Sequence, residues 1–211
     1  HKRVIQFMLD SGYELNAKNC ASIAEGGHLE LLQLALDNGC PCDIRTCGYA
    51  ARSGHLELLQ WAITQGLPFN PEWTYAQAAF GRQLHVLKWL KLSGYPWNDL
   101  TCMCAAKGGH LEIIKWAYTN GAPVTSDVFT FAAESGHIDI MMWYVIMRFP
   151  IDYSRAFYNA KHGNASKIIF EYIISISCPL DQDDYIQSII KYIKEKKYHR
   201  QKWCIKKKKD I

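Results

Sequence analysis

Gly54-His55-Leu56-Glu57-Leu58-Leu59-Gln60-Trp61 returns in variant form at a nearly constant interval along the chain. From His28 to His55 is 27 residues, Gln83 stands 28 further on, and His110, His137 and Asn164 follow at steps of 27. The residue six places later keeps the same step: Leu34, Trp61, Trp89, Trp116, Trp143 and Phe170. A period of this size marks a repeat architecture, so every other motif has to be weighed against its siblings in the other copies.

Each copy divides into two stretches of helical spacing. Helix A of the second full copy is predicted from near Ile44 to Ser53, with Cys47, Ala50, Ala51 and Gly54 on one face at i, i+3, i+4 and i+7. Small residues on that face let a neighbouring helix come close, and the alanine pair recurs as Ala78-Ala79, Ala105-Ala106 and Ala132-Ala133. Helix B is predicted from Leu56 to about Gln65, with Leu58, Leu59, Trp61 and Ala62 making it apolar almost all round, as a helix packed between neighbours should be.

A closing glycine follows at Gly12, Gly39, Gly66, Gly94 or Gly121, suited to a left-handed helix end. A proline then stops the helix, and two residues later stands a capping type: Asp43, Asn70, Asn98, Thr125, Asp152 or Asp181. Asn70-Pro71-Glu72 is the clearest start signal, with a cap, a proline at the first helical position and an acid in the first turn. The expected fold is all-α, a solenoid of stacked helix-turn-helix units joined by short loops.

The extra residue of the third copy falls between Pro68 and Thr74. The sixth copy is looser, and terminal units depart from a pattern because they face water on one side. The chain opens at His1, six before Phe7, in the register of a repeat histidine and its aromatic, so it reads as a fragment that begins inside a unit. The array is assigned to residues 1–178, one partial and six full copies. Residues 179–211 are assigned to a capping helix, with Tyr185, Ile186, Ile189, Ile190 and Ile193 in one stripe, and a basic tail ending in Lys206, Lys207, Lys208 and Lys209.

Helix A with its paired alanine, the turn Gly-His-Leu-Glu, the Leu-Leu-x-Trp helix B and the closing Asn-Gly or Gln-Gly resemble ankyrin repeats. The matching phrases are Gly27-His28-Leu29-Glu30, Gly54-His55-Leu56-Glu57 and Gly109-His110-Leu111-Glu112. Two features depart from that family. Its Thr-Pro-Leu-His opening is replaced by Thr46-Cys47, Thr74-Tyr75 and Thr101-Cys102, so the role of that opening histidine does not carry over. The period is 27 rather than the family's 33, and the deficit falls where the family builds a projecting β-hairpin, between Gly39 and Thr46 or Gly66 and Thr74. The units are similar to the short, tryptophan-bearing variety abundant in giant-virus and protist proteins. The resemblance implies a surface for protein partners.

The chain of 211 residues is 49% hydrophobic and 21% charged, enough to build a core, and no run of 18 apolar residues offers a membrane span. Residues 1–190 hold 14 Lys or Arg against 18 Asp or Glu, a net −4, while residues 191–211 hold ten against Glu195 and Asp210, a net +8. Of the eight cysteines, Cys20, Cys47 and Cys102 share one repeat position and read as small core residues. Equivalent positions one unit apart are separated by about 10 Å, too far for a disulfide, so free thiols and a reducing, cytoplasmic setting are expected. The same spacing keeps the repeat histidines from sharing a metal, and they are expected to bond turn backbone. Cys40-Pro41-Cys42 and Cys102-x-Cys104 lack metal or redox spacing. No phosphate loop, nucleophile elbow or zinc-protease motif is present. No catalytic residue, metal or cofactor is assigned, and the chain is expected not to be an enzyme. The tryptophans of helix B are assigned to the inter-repeat core.

Function is sought instead where one copy departs from the others. The residue after the alanine pair reads Glu25, Arg52, Phe80, Lys107, Glu134, polar everywhere except Phe80. The head of helix A reads Arg45, Trp73, Leu100, Asp127, apolar in the same middle units, and Met103 joins it by helical spacing. Trp73, Phe80, Leu100 and Met103, rimmed by Arg45, Arg52 and Lys107, are therefore the candidate patch for a protein partner on the concave face of a monomeric scaffold. The competing assignment is that they pack onto adjacent loops. The lysines at 206–209 leave open a nuclear address, nucleic-acid contact or an anionic membrane surface as uses of the tail.

Overall fold

The computed structural model describes residues 11–163 and 167–177. Residues 1–10 of the partial first copy, Asn164, the capping helix and the lysine tail with Lys206–Lys209 lie outside the described residues. Those residues form twelve helices and no strand. They are α1 (Ala17–Glu25), α2 (Leu29–Asp37), α3 (Ile44–Ser53), α4 (Leu56–Thr64), α5 (Pro71–Phe80), α6 (Leu84–Leu92), α7 (Leu100–Gly108), α8 (Leu111–Thr119), α9 (Ser126–Ser135), α10 (Ile138–Ile146), α11 (Tyr153–His162) and α12 (Lys167–Ser177). Odd numbers are the A helices and even numbers the B helices.

The helices start where capping side chains satisfy free backbone N–H groups. Asn70 accepts from Trp73 N at 2.8 Å, Asp152 from Arg155 N at 2.9 Å and Asp43 from Arg45 N at 2.9 Å. Ahead of α7 the helix opens one residue late, and Asn98 Oδ1 still accepts from Leu100 N at 3.0 Å. Thr125 makes no such bond.

Packing follows sequence order. Each A helix contacts the A helix of the next unit, through the series α1, α3, α5, α7, α9 and α11, and each also packs on its own B helix. The B helices approach one another less closely. Side-chain size explains the asymmetry, because Ala50, Ala51, Ala78, Ala79, Ala105, Ala106, Ala132 and Ala133 are all fully buried where the A helices meet. Cys20, Cys47, Tyr75, Cys102 and Phe129 are fully buried at the shared helix A position. With Leu59, Leu87, Ile114 and Met141 from the B helices they form one continuous core along the described chain.

The helix B tryptophans do not reach that core's centre. Trp61, Trp89, Trp116 and Trp143 are half-buried and packed against it. Trp89 leans on Tyr95 and Trp143 on Phe149, aromatic residues of the closing loops, while Trp116 meets Trp97 of the preceding loop edge-on at 5.7 Å. Wider spacing between B helices leaves room for rings that brace the loops rather than fill the interior.

Candidate functional site

The repeated histidines bind the units together. His55 Nε2 lies 3.0 Å from the carbonyl of Glu25, His110 Nε2 2.9 Å from that of Phe80, and His137 Nε2 3.3 Å from that of Lys107. A carbonyl only accepts, so each ring carries its proton on Nε2. The acceptor is the last turn of the preceding unit's helix A rather than the histidine's own turn. Gln83 breaks the series, and His85 takes over by reaching the Gly54 carbonyl at 2.9 Å.

The glycines in front of His28 and His110 are the seats for the histidines of the next units. A Cβ on Gly27 would stand 2.5 Å from the His55 ring, and one on Gly109 would stand 2.6 Å from the His137 ring. The Gly-His phrase is thereby explained as scaffold chemistry. A shallow hollow along it, lined by Gly27, Leu29, Gly54, His55, Leu56 and Glu57, gathers no set of converging reactive groups.

Burial lowers the pKa of His110, and the nearby positive charge of Arg82 adds to the effect, against the Phe80 carbonyl that favours the charged ring. The folded state thus takes up a proton less readily than the unfolded chain. Its contribution is complete above the ordinary histidine value near 6.5 and is lost as pH falls below it, through the lowered value of the folded state. Replacing His110 by Ala is expected to cost about 1–2 kcal/mol at pH 7.5. The loss should shrink toward pH 5.5 in urea melts of the two proteins, and an equal loss at both pH values would contradict this assignment.

The sequence-derived patch separates into parts. Trp73 and Phe80 lie seven residues apart on α5, two turns and about 10 Å along one face. Leu100 and Met103 lie on α7, the next A helix, and the heads of the two helices are joined by Asn98 Nδ2 donating to Glu72 Oε2 at 3.0 Å. All four apolar side chains are half-buried, and none belongs to the continuous core or to the apolar groups packed against it. Trp73 packs backward onto α3: a Cβ on Gly48 would stand 2.6 Å from its Nε1, which is buried without a partner. Its neighbour is therefore a helix, not the loop considered from sequence.

The rim residues differ in their engagements. Arg45 is held by its own cap residue, Nη2 to Asp43 Oδ2 at 2.6 Å and Nε to the same oxygen at 2.9 Å. That bond keeps the Asp43 carboxyl below its ordinary pKa. Arg52 lies over the Phe80 ring, Cζ 4.6 Å from its centre, and Lys107 Nζ lies 5.7 Å from the centre of Phe131.

Sequence reasoning passed over Arg82. It holds a left-handed backbone, φ 62°, at the place where Gly27, Gly54, Gly109 and Gly136 stand in other units. A non-glycine residue is strained there, and the break in the Gly-His phrase at Gly81-Arg82-Gln83 was the available signal. The largest exposed apolar residues on helix B, Leu92 and Ile146, are two units apart and do not form one patch.

The cysteines meet in a way their spacing did not announce. Cys20 of α1 lies beside Cys40 and Cys42 of the loop before α3, and Cys40 Sγ donates to the Asn16 carbonyl at 3.4 Å. Burial raises the pKa of the Cys20 thiol and pushes those of Cys47 and Cys102 up to about 12, so these thiols are protonated and unreactive at neutral pH. The six cysteines among the described residues are free. Among those residues no group of three or more His, Cys, Asp or Glu side chains is arranged to hold a metal ion, and no helix is long and apolar enough to cross a membrane.

No protein-family model matches the sequence, and no curated protein matches it significantly.

Proposed function

We propose that this chain is an ankyrin-like solenoid acting as a non-catalytic scaffold, and that it binds a protein partner along the edge of its middle A helices. One observation carries the reading. Trp73, Phe80, Leu100 and Met103 gather on two adjacent A helices outside the common core, and Trp73, Leu100 and Phe80 stand where sibling units carry Arg45, Asp127, Arg52 and Lys107. Apolar groups that the core does not use are the usual anchors of a docking surface. The packing of helices in sequence order supports the array, since such folds present long surfaces and contact mainly their neighbours.

The test is co-purification of partners with the tagged protein, quantified by mass spectrometry, for the parent and for a Phe80→Ser, Met103→Ser double variant. Specific partner recovery is expected to fall by about tenfold or more. The melting temperature should move by no more than about 4 °C, because neither side chain belongs to the core. Trp73 is left intact since it packs on Gly48. Undiminished recovery, or recovery lost only together with the fold, would sink the proposal.

A further inference from the structure

We propose that the partner presents an acidic, extended segment, with carboxylates spaced to meet Arg52 and Lys107 and an apolar side chain between them against Phe80. The inference rests on the docking-face reading above and adds the chemistry of the ligand.

Arg52, Phe80 and Lys107 are equivalent residues of three consecutive A helices, α3, α5 and α7. They form a strip in which cation, aromatic ring and cation alternate. Arg52 lies over the Phe80 ring with Cζ 4.6 Å from its centre, and its guanidinium N–H groups make no ion pair among the described residues, so they can grip a carboxylate. Arg82 adds a third cation two residues beyond Phe80, near enough to His110 to depress its pKa. None of these three cations is ion-paired among the described residues, whereas Arg45, Lys115 and Arg155 are paired with Asp43, Glu112 and Asp127.

The body of the protein is acidic, net −4 over residues 1–190, so unpaired cations collected on its middle units stand against the general charge. The left-handed backbone at Arg82 points the same way. Glycine serves that position in four other units, and here an exposed arginine is kept at the expense of strain.

Spacing sets the length of the ligand. Adjacent A helices lie about 10 Å apart, so Arg52 and Lys107 are about 20 Å apart. An extended chain advances about 3.3 Å per residue, which places two acids about six residues apart with an apolar residue midway. A nucleic acid suits the strip less well. Three cations on an acidic body offer few phosphate contacts, and phosphate binding draws its affinity from many.

The experiment is an anisotropy titration of the whole chain with an uncharged-dye-labelled peptide carrying paired glutamates three residues to either side of a central leucine. A glutamine version and single-stranded oligothymidine are run beside it. The acidic peptide is expected to bind, about tenfold tighter than its glutamine version, and to weaken between about 50 and 300 mM salt. The double variant Arg52→Gln, Lys107→Gln should lose about tenfold. Arg82→Gly should also weaken binding while its melting temperature does not fall, because glycine suits that backbone.

Failure of the acidic peptide to bind, or tighter binding of the oligonucleotide that the Arg52→Gln, Lys107→Gln variant loses, would overturn the inference. Equal binding of the glutamine peptide through Phe80 would overturn it too, while leaving the docking face standing. Partner recovery unaffected by Phe80→Ser would remove the docking face itself.

Discussion

Gly81→Ala is expected to destabilise the fold by about 3 kcal/mol, a large cost for one methyl group. Gly81 has φ −82°, a conformation alanine adopts freely, so the loss does not come from its backbone. It comes from the neighbouring unit. The added Cβ would stand 1.8 Å from the Arg52 carbonyl oxygen and 2.7 Å from its carbon, and backbone at the end of a helix cannot swing aside as a side chain can.

In the units led by His55, His110 and His137, a ring nitrogen bonds the corresponding carbonyl of the preceding unit at 2.9–3.3 Å. Gln83 does not bond the Arg52 carbonyl, and the backbone of α5 closes onto α3 instead. Relieving the contact means prising those two helices apart along their alanine faces. Two comparisons isolate the cause. Ser53→Ala alters the same position in another unit, where a Cβ already stands, and should be nearly neutral. Gly66→Ala meets nothing within 4 Å but sits at φ +74°, and should cost about 1 kcal/mol from backbone strain alone. Urea denaturation of the three variants checks the order, and a Gly81→Ala protein as stable as the Gly66→Ala protein would contradict the close approach.

The helices and their order of packing were legible because their signals are local and recur. The alanine pairs, the closing glycines and the caps at Asp43, Asn70 and Asp152 each specify a helix face or end within a few residues, and repetition separates them from chance. What escaped depends on which side chain of one unit reaches the next. The seat of the Trp73 indole on Gly48, the convergence of Cys20 with Cys40 and Cys42, and the bond from His110 to the Phe80 carbonyl all cross a unit boundary. A period tells that units stack, but not how far their backbones approach or which rotamers meet between them.

The candidate patch was visible as a departure from the sibling series, while its polarity was only half legible. Arg45 and Arg52 look alike in sequence. One is spent on its own helix cap and the other lies on Phe80, and rotamer and cap geometry decide between those fates. Arg82 could have been noticed from the broken Gly-His phrase, yet its left-handed backbone is a property of the folded turn.

The second large effect concerns the array as a whole. Removing residues 28–54 joins Gly27 to His55, and because residues 27–33 and 54–60 are identical, the junction creates no new sequence. The deletion takes out α2 and α3, so that α1 acquires α4 as its helix B and α5 as its next helix A. The close A-to-A contact should re-form, since Cys20 and Ala24 repeat the small residues Cys47 and Ala51. Two mismatches remain. Ala21 takes the place of Gly48 under the Trp73 ring, so that indole must shift, and the larger Ile23 takes the place of the fully buried Ala50. The loss of one unit and these misfits together are expected to lower stability by several kcal/mol, roughly one unit's share in a nearest-neighbour array.

That deletion is the most direct measurement of the proposed architecture, made by thermal unfolding followed by far-ultraviolet circular dichroism. The shortened protein is expected to unfold still in one cooperative transition, at a lower melting temperature, with its helical signal reduced by the share of the two missing helices. A shortened chain that is unfolded or aggregated, as a domain with one indivisible core would be after losing an internal segment, would contradict that architecture.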